Sequence, residues 1–137
     1  MIHIKTFNDL TNQEMYEIFK LRQNVFILEQ KIYVEDIDDY DKEALHVFIK
    51  DNGKIVSYLR LIEMFDGMHV GRVVTDSKYR NQRYATKLIN YLQERYTTLI
   101  LSAQVPVIEF YKKFGFKVVG NKYKEATILH QKMVYIK

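Results

Sequence analysis

The sequence predicts a mixed α/β fold, a single sheet with helices packed on it, and three observations predict it. Between residues 44 and 75 three apolar, β-branched and aromatic runs are separated by turn residues, which is the signature of an antiparallel meander. From residue 68 onward strand-like runs alternate with two helical patterns. A chain of 137 residues with one Pro, five Gly and no Ser-rich stretch shows neither a linker nor a repeat, so one domain over 1–137 is expected.

Taken in order, residues 2–7 alternate enough for a strand, with Ile2 and Ile4 on one face. Thr11 then opens a helix, because Thr11 and Glu14 have capping-box spacing and Leu10 and Met15 hold the flanking staple positions. Met15, Ile18, Phe19, Val25 and Phe26 recur at helical spacing and give that helix a buried stripe. Residues 31–43 read as a polar, solvated connection; the acidic run from Glu35 to Asp41 lacks the Gly and terminal Glu of a calcium loop.

Strands are expected at 44–50 and 54–64, joined by Asp51-Asn52-Gly53, and at 68–75 after Asp66-Gly67. Ala85, Leu88, Ile89, Leu92 and Tyr96 trace one face of a second helix. A strand at 98–103 leads to a third helical pattern of Val107, Phe110, Tyr111 and Phe114, with Gly115 where a C-cap belongs. Two last strands are expected near 116–120 and 127–136.

The bulk properties exclude several function classes. No apolar run approaches the roughly 20 residues of a membrane span. Residues 1–10 show no basic stretch followed by an apolar core, so no signal peptide is expected. The absence of Cys removes disulfides, thiolate metal sites and a Cys nucleophile, and fits a cytoplasmic location. Four His without a short H-x-x-x-H spacing give no reason to expect a metal. A net charge of +4, with little patterned basic sequence outside Lys78, Arg80, Arg83 and Lys87, argues against a nucleic-acid partner.

That basic cluster is nevertheless the most informative stretch. Val73-Val74-Thr75 ends a strand, a polar loop runs through Arg80, Asn81 and Gln82, and Arg83-Tyr84-Ala85-Thr86 opens the second helix. A helix N-terminus offers unpaired N–H donors and the positive end of the macrodipole, which together bind phosphate. Cations there are unfavourable by roughly 0.3–1 kcal/mol unless an anion joins them. Neither a Walker-type Gly-Lys-Ser/Thr nor a run of spaced glycines is present.

Arg80-x-x-Arg83-x-Ala85 resembles the Q/R-x-x-G-x-G/A signature of the GNAT acetyltransferases, with Arg83 where the motif has its middle Gly. Phe110-Tyr111-x-x-Phe114-Gly115-Phe116 resembles the family's later Y-x-x-x-G-F. In order along most of the chain, Leu21-Arg22-x-x-Val25-Phe26-x-x-Glu29-Gln30, Asp36-x-Asp38, His46, Gly71-Arg72-Val73-Val74, Ala103-Gln104 and the region around His130 are similar to the ElaA-like branch. There Glu125-Ala126-Thr127-Ile128-Leu129-His130 stands where that branch reads Glu-Asp-Gly-Ile-Pro-His.

The resemblance implies a mostly antiparallel sheet of about seven strands with helices on both faces. It implies acetyl-CoA as donor, its pyrophosphate on the loop from Arg80 to Thr86 and its pantetheine arm along Val73, Val74 and Thr75. It places Tyr111 beside the sulfur as the proton donor to the departing thiolate. His69, His130 and Glu29 are the candidate bases, and Glu29, Gln30, His46, His69 and His130 the candidate acceptor-side residues. Arg83 keeps the N–H donor and adds charge, but it needs a backbone free of Cβ strain. The expected partner is the primary amine of a small molecule, an amino acid among the options, and the protein is expected to be a monomer or homodimer. Acceptors on RNA or protein, and a non-catalytic acyl-CoA sensor, are the alternatives.

Overall fold

The computed structural model describes residues 1–137. Ile2–Thr6 form β1, and its Ile2 and Ile4 pack on the main core as their alternation predicts. Asn12–Arg22 form α1, opened by both capping-box bonds: Glu14 N–H donates to Thr11 Oγ1 and Thr11 N–H to Glu14 Oε1, each at 3.0 Å. The expected continuous α-helix loosens after Arg22 into a π-helical segment, Gln23–Glu29. Such wide turns recur at functional sites.

The meander follows as β2 (Leu45–Asp51), β3 (Lys54–Met64) and β4 (Gly67–Thr75). Asn52 (φ 50°) and Gly53 (φ 79°) make the two-residue turn between β2 and β3, a conformation whose twist matches the strands. Then come α2 (Tyr84–Arg95), β5 (Thr98–Gln104), α3 (Ile108–Lys112), β6 (Lys117–Glu125) and β7 (Ile128–Ile136). The third helix is shorter than its apolar pattern, because a 3₁₀ turn at Val105–Val107 takes its first residues. Gly115, at φ 88°, supplies the left-handed residue that ends it.

All seven strands share one sheet in the order β1-β2-β3-β4-β5-β7-β6. Every neighbouring pair is antiparallel except β4–β5, which is parallel. Each face carries a core. Leu88, Ile89 and Leu92 of α2 are fully buried against Val47, Leu59 and Leu61, so truncating one to Ala would cost about 2–5 kcal/mol. Ile18, Leu21 and Val25 pack against Phe48, Tyr58 and Val74 on the opposite face.

Two irregularities position the site. First, β4 pairs with β5 only from Met68 to Val70, opposite Leu99 to Leu101, and beyond Val70 the strands part. Second, Tyr58 stands opposite Val74 but Arg60 opposite Gly71, so Arg72 and Val73 together face Leu59. This is a bulge in β4, and Arg72 occupies its left-handed position at φ 53°.

Most of the connection at 31–43 is exposed as expected, but Asp41 is not. Asp41 is 2 % exposed and Arg22 fully buried, and their pairing draws the loop onto the sheet. The physical reason is that Arg22, Arg60 and Arg72 all point at it from three other elements.

Candidate active site

Where β4 and β5 part, a cleft of about 1430 Å³ opens through the sheet. At one end lies the N-terminus of α2. Arg83 is its N-cap residue, at φ 66° and ψ 22°, with no side-chain capping bond and no acidic residue in the first turn. The positive end of the helix is therefore uncompensated. The strain-free backbone that Arg83 needs is not what it has: a residue with Cβ costs roughly 1–2 kcal/mol in this left-handed conformation. Asn81, at φ 64°, shares that handedness.

The two arginines differ. Arg80 makes a bidentate pair with Glu29 at 2.7 and 2.9 Å and donates to Thr75 O at 3.3 Å. Arg83 lines the cleft and forms no ion pair. Asn81, Tyr84, Ala85 and Thr86 line the same end, whereas Gln82 is exposed and does not.

Along the middle of the cleft runs the unpaired edge of β4. Past Val70 its backbone groups on the β5 side have no strand partner, so part of residues 71–75 presents N–H and C=O groups to the cleft. Thr75 is held from behind, its hydroxyl 2.9 Å from Ser57 Oγ. Across the gap stands Tyr111 of α3, 7 % exposed and packed edge-on to Phe110 and Phe116. Burial pushes its hydroxyl up to about 12.

The other end has a floor made by β5, β7 and β6. Buried His130 holds Nδ1 at 2.7 Å from Ile128 O. A carbonyl can only accept, so Nδ1 carries the hydrogen and neutral His130 presents a lone pair at Nε2. Glu125 Oε2 lies 3.7 Å from that Nε2, and the Tyr123 ring stacks on the imidazole at 6.3 Å. Gln104 is opposite His130 in register and donates to Gln30 Oε1 at 3.4 Å.

Beside this floor three arginines meet three aspartates. Arg22 binds Asp36 at 2.9 Å and Asp41 at 2.7 Å. Arg60 binds Asp38 at 2.7 Å and Asp41 at 3.0 Å, and Arg72 binds Asp36 at 3.0 Å and Asp38 at 3.3 Å. Burial works to raise the Asp41 carboxyl, but the guanidinium of Arg22 overcomes it and holds the group below the usual range. Arg72 thus ties the β4 bulge to the loop through its side chain while its backbone bends the strand.

The family described as acetyltransferase (GNAT) domain matches residues 6–137. The chain belongs to the GNAT acetyltransferases. A UPF0039 protein of Schizosaccharomyces pombe is 36% identical to it, over 94% of this chain and 92% of its own. The crystal structure of an acyl-CoA N-acyltransferase from Pseudomonas aeruginosa superposes with a TM-score of 0.90 at 28% identity, covering 98% of both chains. That of Escherichia coli ElaA does so at 0.87 and 26%, covering 98% of this chain and 99% of its own. This GNAT chain is therefore ElaA-like, as its ordered motifs implied.

Among the expected residues, this GNAT cleft brings together Val73, Val74, Thr75, Arg80, Asn81, Arg83, Tyr84, Ala85, Thr86, Tyr111, Glu29, Gln30, His69 and His130. His46 is a correction. It is fully buried between Tyr58 Oη at 2.7 Å and Asp41 O at 2.9 Å and does not line the cleft. Burial lowers its pKa, so it is a neutral bridge under the ion cluster. Gln82 is the second correction, an exposed loop residue outside the cleft. His69 lies at the closed end, where β4 still pairs with β5, its Nε2 2.8 Å from Asp66. Hydrogen bonding to Arg80 holds the Glu29 carboxyl below its usual range, which weakens it as a base.

The sequence reading missed Arg72, Tyr123, Glu125 and Lys132 as cleft residues. Arg60 amid the apolar middle of its strand was the available signal for a buried charge cluster. Tyr123 and Glu125 were hidden because β6 runs to Glu125, five residues past its expected end.

Proposed function

We propose that this GNAT protein transfers the acetyl group of acetyl-CoA directly to the primary amine of a small molecule, an amino acid among the candidates. One observation carries the reading: a single cleft joins an uncapped helix N-terminus, an unpaired strand edge, a buried tyrosine and a histidine with a free Nε2. Asn81, Arg83 and the first-turn N–H groups of α2 would hold the pyrophosphate, and Val73, Val74 and Thr75 the pantetheine amides.

Direct transfer needs a neutral amine, a site for the carbonyl oxygen's developing charge and a proton for the sulfur. His130 serves as base in preference to His69 and Glu29, because its tautomer is set and its Nε2 faces the cleft. Backbone N–H groups near the bulge at Val73 and Val74 meet the charge on the carbonyl oxygen. Tyr111, which burial keeps protonated, gives its proton to the departing sulfur.

Calorimetric titration with acetyl-CoA, beside desulfo-CoA and ATP, tests the donor site. Tight binding that depends on the pantetheine arm is expected. Binding no better than that of ATP would reduce the loop at 80–86 to a basic patch and remove the main support for the reading.

A further inference from the structure

The acceptor end of the cleft has a distinctive charge balance. Glu29 is bound to Arg80, Asp36 to Arg22 and Arg72, and Asp38 to Arg60 and Arg72. These carboxylates are committed to protein cations and hold nothing back for the second ammonium of a polyamine. Glu125 alone stands outside these pairs, next to His130.

Lys132 is the opposite case. It lines the cleft, is exposed and forms no ion pair. On β7 it lies two residues from His130, so both side chains leave the same face of the strand about 7 Å apart. Its cross-strand neighbour on β5 is Ser102, whose hydroxyl hydrogen-bonds to the Tyr123 hydroxyl and is thereby occupied. Apolar side chains also line the cleft. Ile32, Val34, Tyr40, Ile62 and Met64 line it, and Val34, Tyr40 and Met64 stay 49, 47 and 36 % exposed at its rim. Exposed apolar side chains continuous with a cleft mark where an apolar ligand body is accommodated.

We infer that the acceptor is a free amino acid with an apolar side chain, its amine at His130 and its carboxylate on Lys132. This rests on the acetyl-transfer reading above and narrows its substrate class. The ammonium form first releases one proton to solvent. Attack then forms the N–C bond and breaks the C–S bond of the thioester. The second amine proton passes to His130 Nε2 and the Tyr111 proton to sulfur, and both side chains return to their starting states through solvent. The products are an N-acetyl amino acid and the CoA thiol.

The test compares kcat/KM for leucine, leucinamide, alanine and spermidine, with acetyl-CoA as donor and thiol release as readout. Leucinamide has the less basic amine, so without a carboxylate site it would be the better acceptor. Leucine is expected to exceed leucinamide and alanine by about tenfold or more each, with spermidine poorest. Lys132→Gln is expected to collapse the leucine-to-leucinamide ratio toward one, mainly through KM, and Lys132→Arg to retain it. Leucinamide equal to leucine, spermidine as the best acceptor, or a ratio unmoved by Lys132→Gln would overturn the inference while leaving acetyl transfer in place. Tight acetyl-CoA binding with no amine acetylated would instead defeat the acetyl-transfer reading, and this inference with it.

Discussion

Burial raises the Tyr111 hydroxyl to about 12, so it keeps its proton throughout the neutral range and is available as a proton donor beside the cleft. Tyr111→Phe removes that proton while preserving the ring contacts with Phe110 and Phe116. Turnover is expected to fall by about 10²-fold or more with acetyl-CoA affinity nearly unchanged, read by steady-state kinetics beside calorimetry. Unaltered turnover would remove Tyr111 from the chemistry. Arg83 poses a different trade at the same scale. Its left-handed backbone suits glycine, so Arg83→Gly is expected to change stability little or raise it by up to about 1 kcal/mol. The same change removes an unpaired cation that lines this end of the cleft and should weaken acetyl-CoA binding. If affinity rises with the glycine, the side chain obstructs the ligand rather than helping to hold it.

Among the elements, the β6–β7 turn is the clearest strained piece. Ala126 and Thr127 sit at φ 52° and 65°, where Asn-Gly or Asp-Gly is preferred and where Thr carries a β-branch. Replacing both, Ala126→Asn with Thr127→Gly, should stabilise the protein by about 1–2 kcal/mol and raise Tm by several degrees. No change in Tm would mean that the hairpin frays before the cooperative transition. The local elements were also the legible ones. Thr11 with Glu14, Asn52 with Gly53, and the apolar rows of α2 lie within a few residues of their partners, so their spacing alone announces the structure. The left-handed Arg72 and the early parting of β4 and β5 were not legible. Both depend on which strand lies alongside, and no local pattern encodes that.

The largest coupling in the whole molecule is the cluster of Arg22, Arg60 and Arg72 with Asp36, Asp38 and Asp41, drawn from α1, β3, β4 and one loop. Asp41→Ala leaves Arg22 buried and short of a partner, an expected loss of about 3–5 kcal/mol by denaturant unfolding. A loss below 1 kcal/mol would mean that the loop or water compensates. The pH dependence has a definite sign. The Asp38 and Asp41 carboxyls are held below the ordinary 3.8, Asp38 despite burial and chiefly by Arg60, Asp41 likewise by Arg22. Their contribution is therefore complete above about pH 4–5 and is lost as pH falls through the lowered values. Acid unfolding should be steeper for the parent protein than for Asp38→Asn.

By itself the sequence determined most of the strands and helices, the caps and hairpin turns, the basic loop before α2 and Tyr111 on its helix. Each of these is written in periodicity or in residues a few positions apart. Only the tertiary structure decided that Asp41 of the acidic connection is buried, that His46 lies under the ion cluster rather than in the cleft, and that Glu29 is tied to Arg80. It also decided that His130 and Lys132 share one face of the cleft floor with Tyr123 and Glu125. The physical reason is the same in each case. A charge is solvated, paired or left free according to what lies across from it, and here the partners stand up to 51 residues away along the chain.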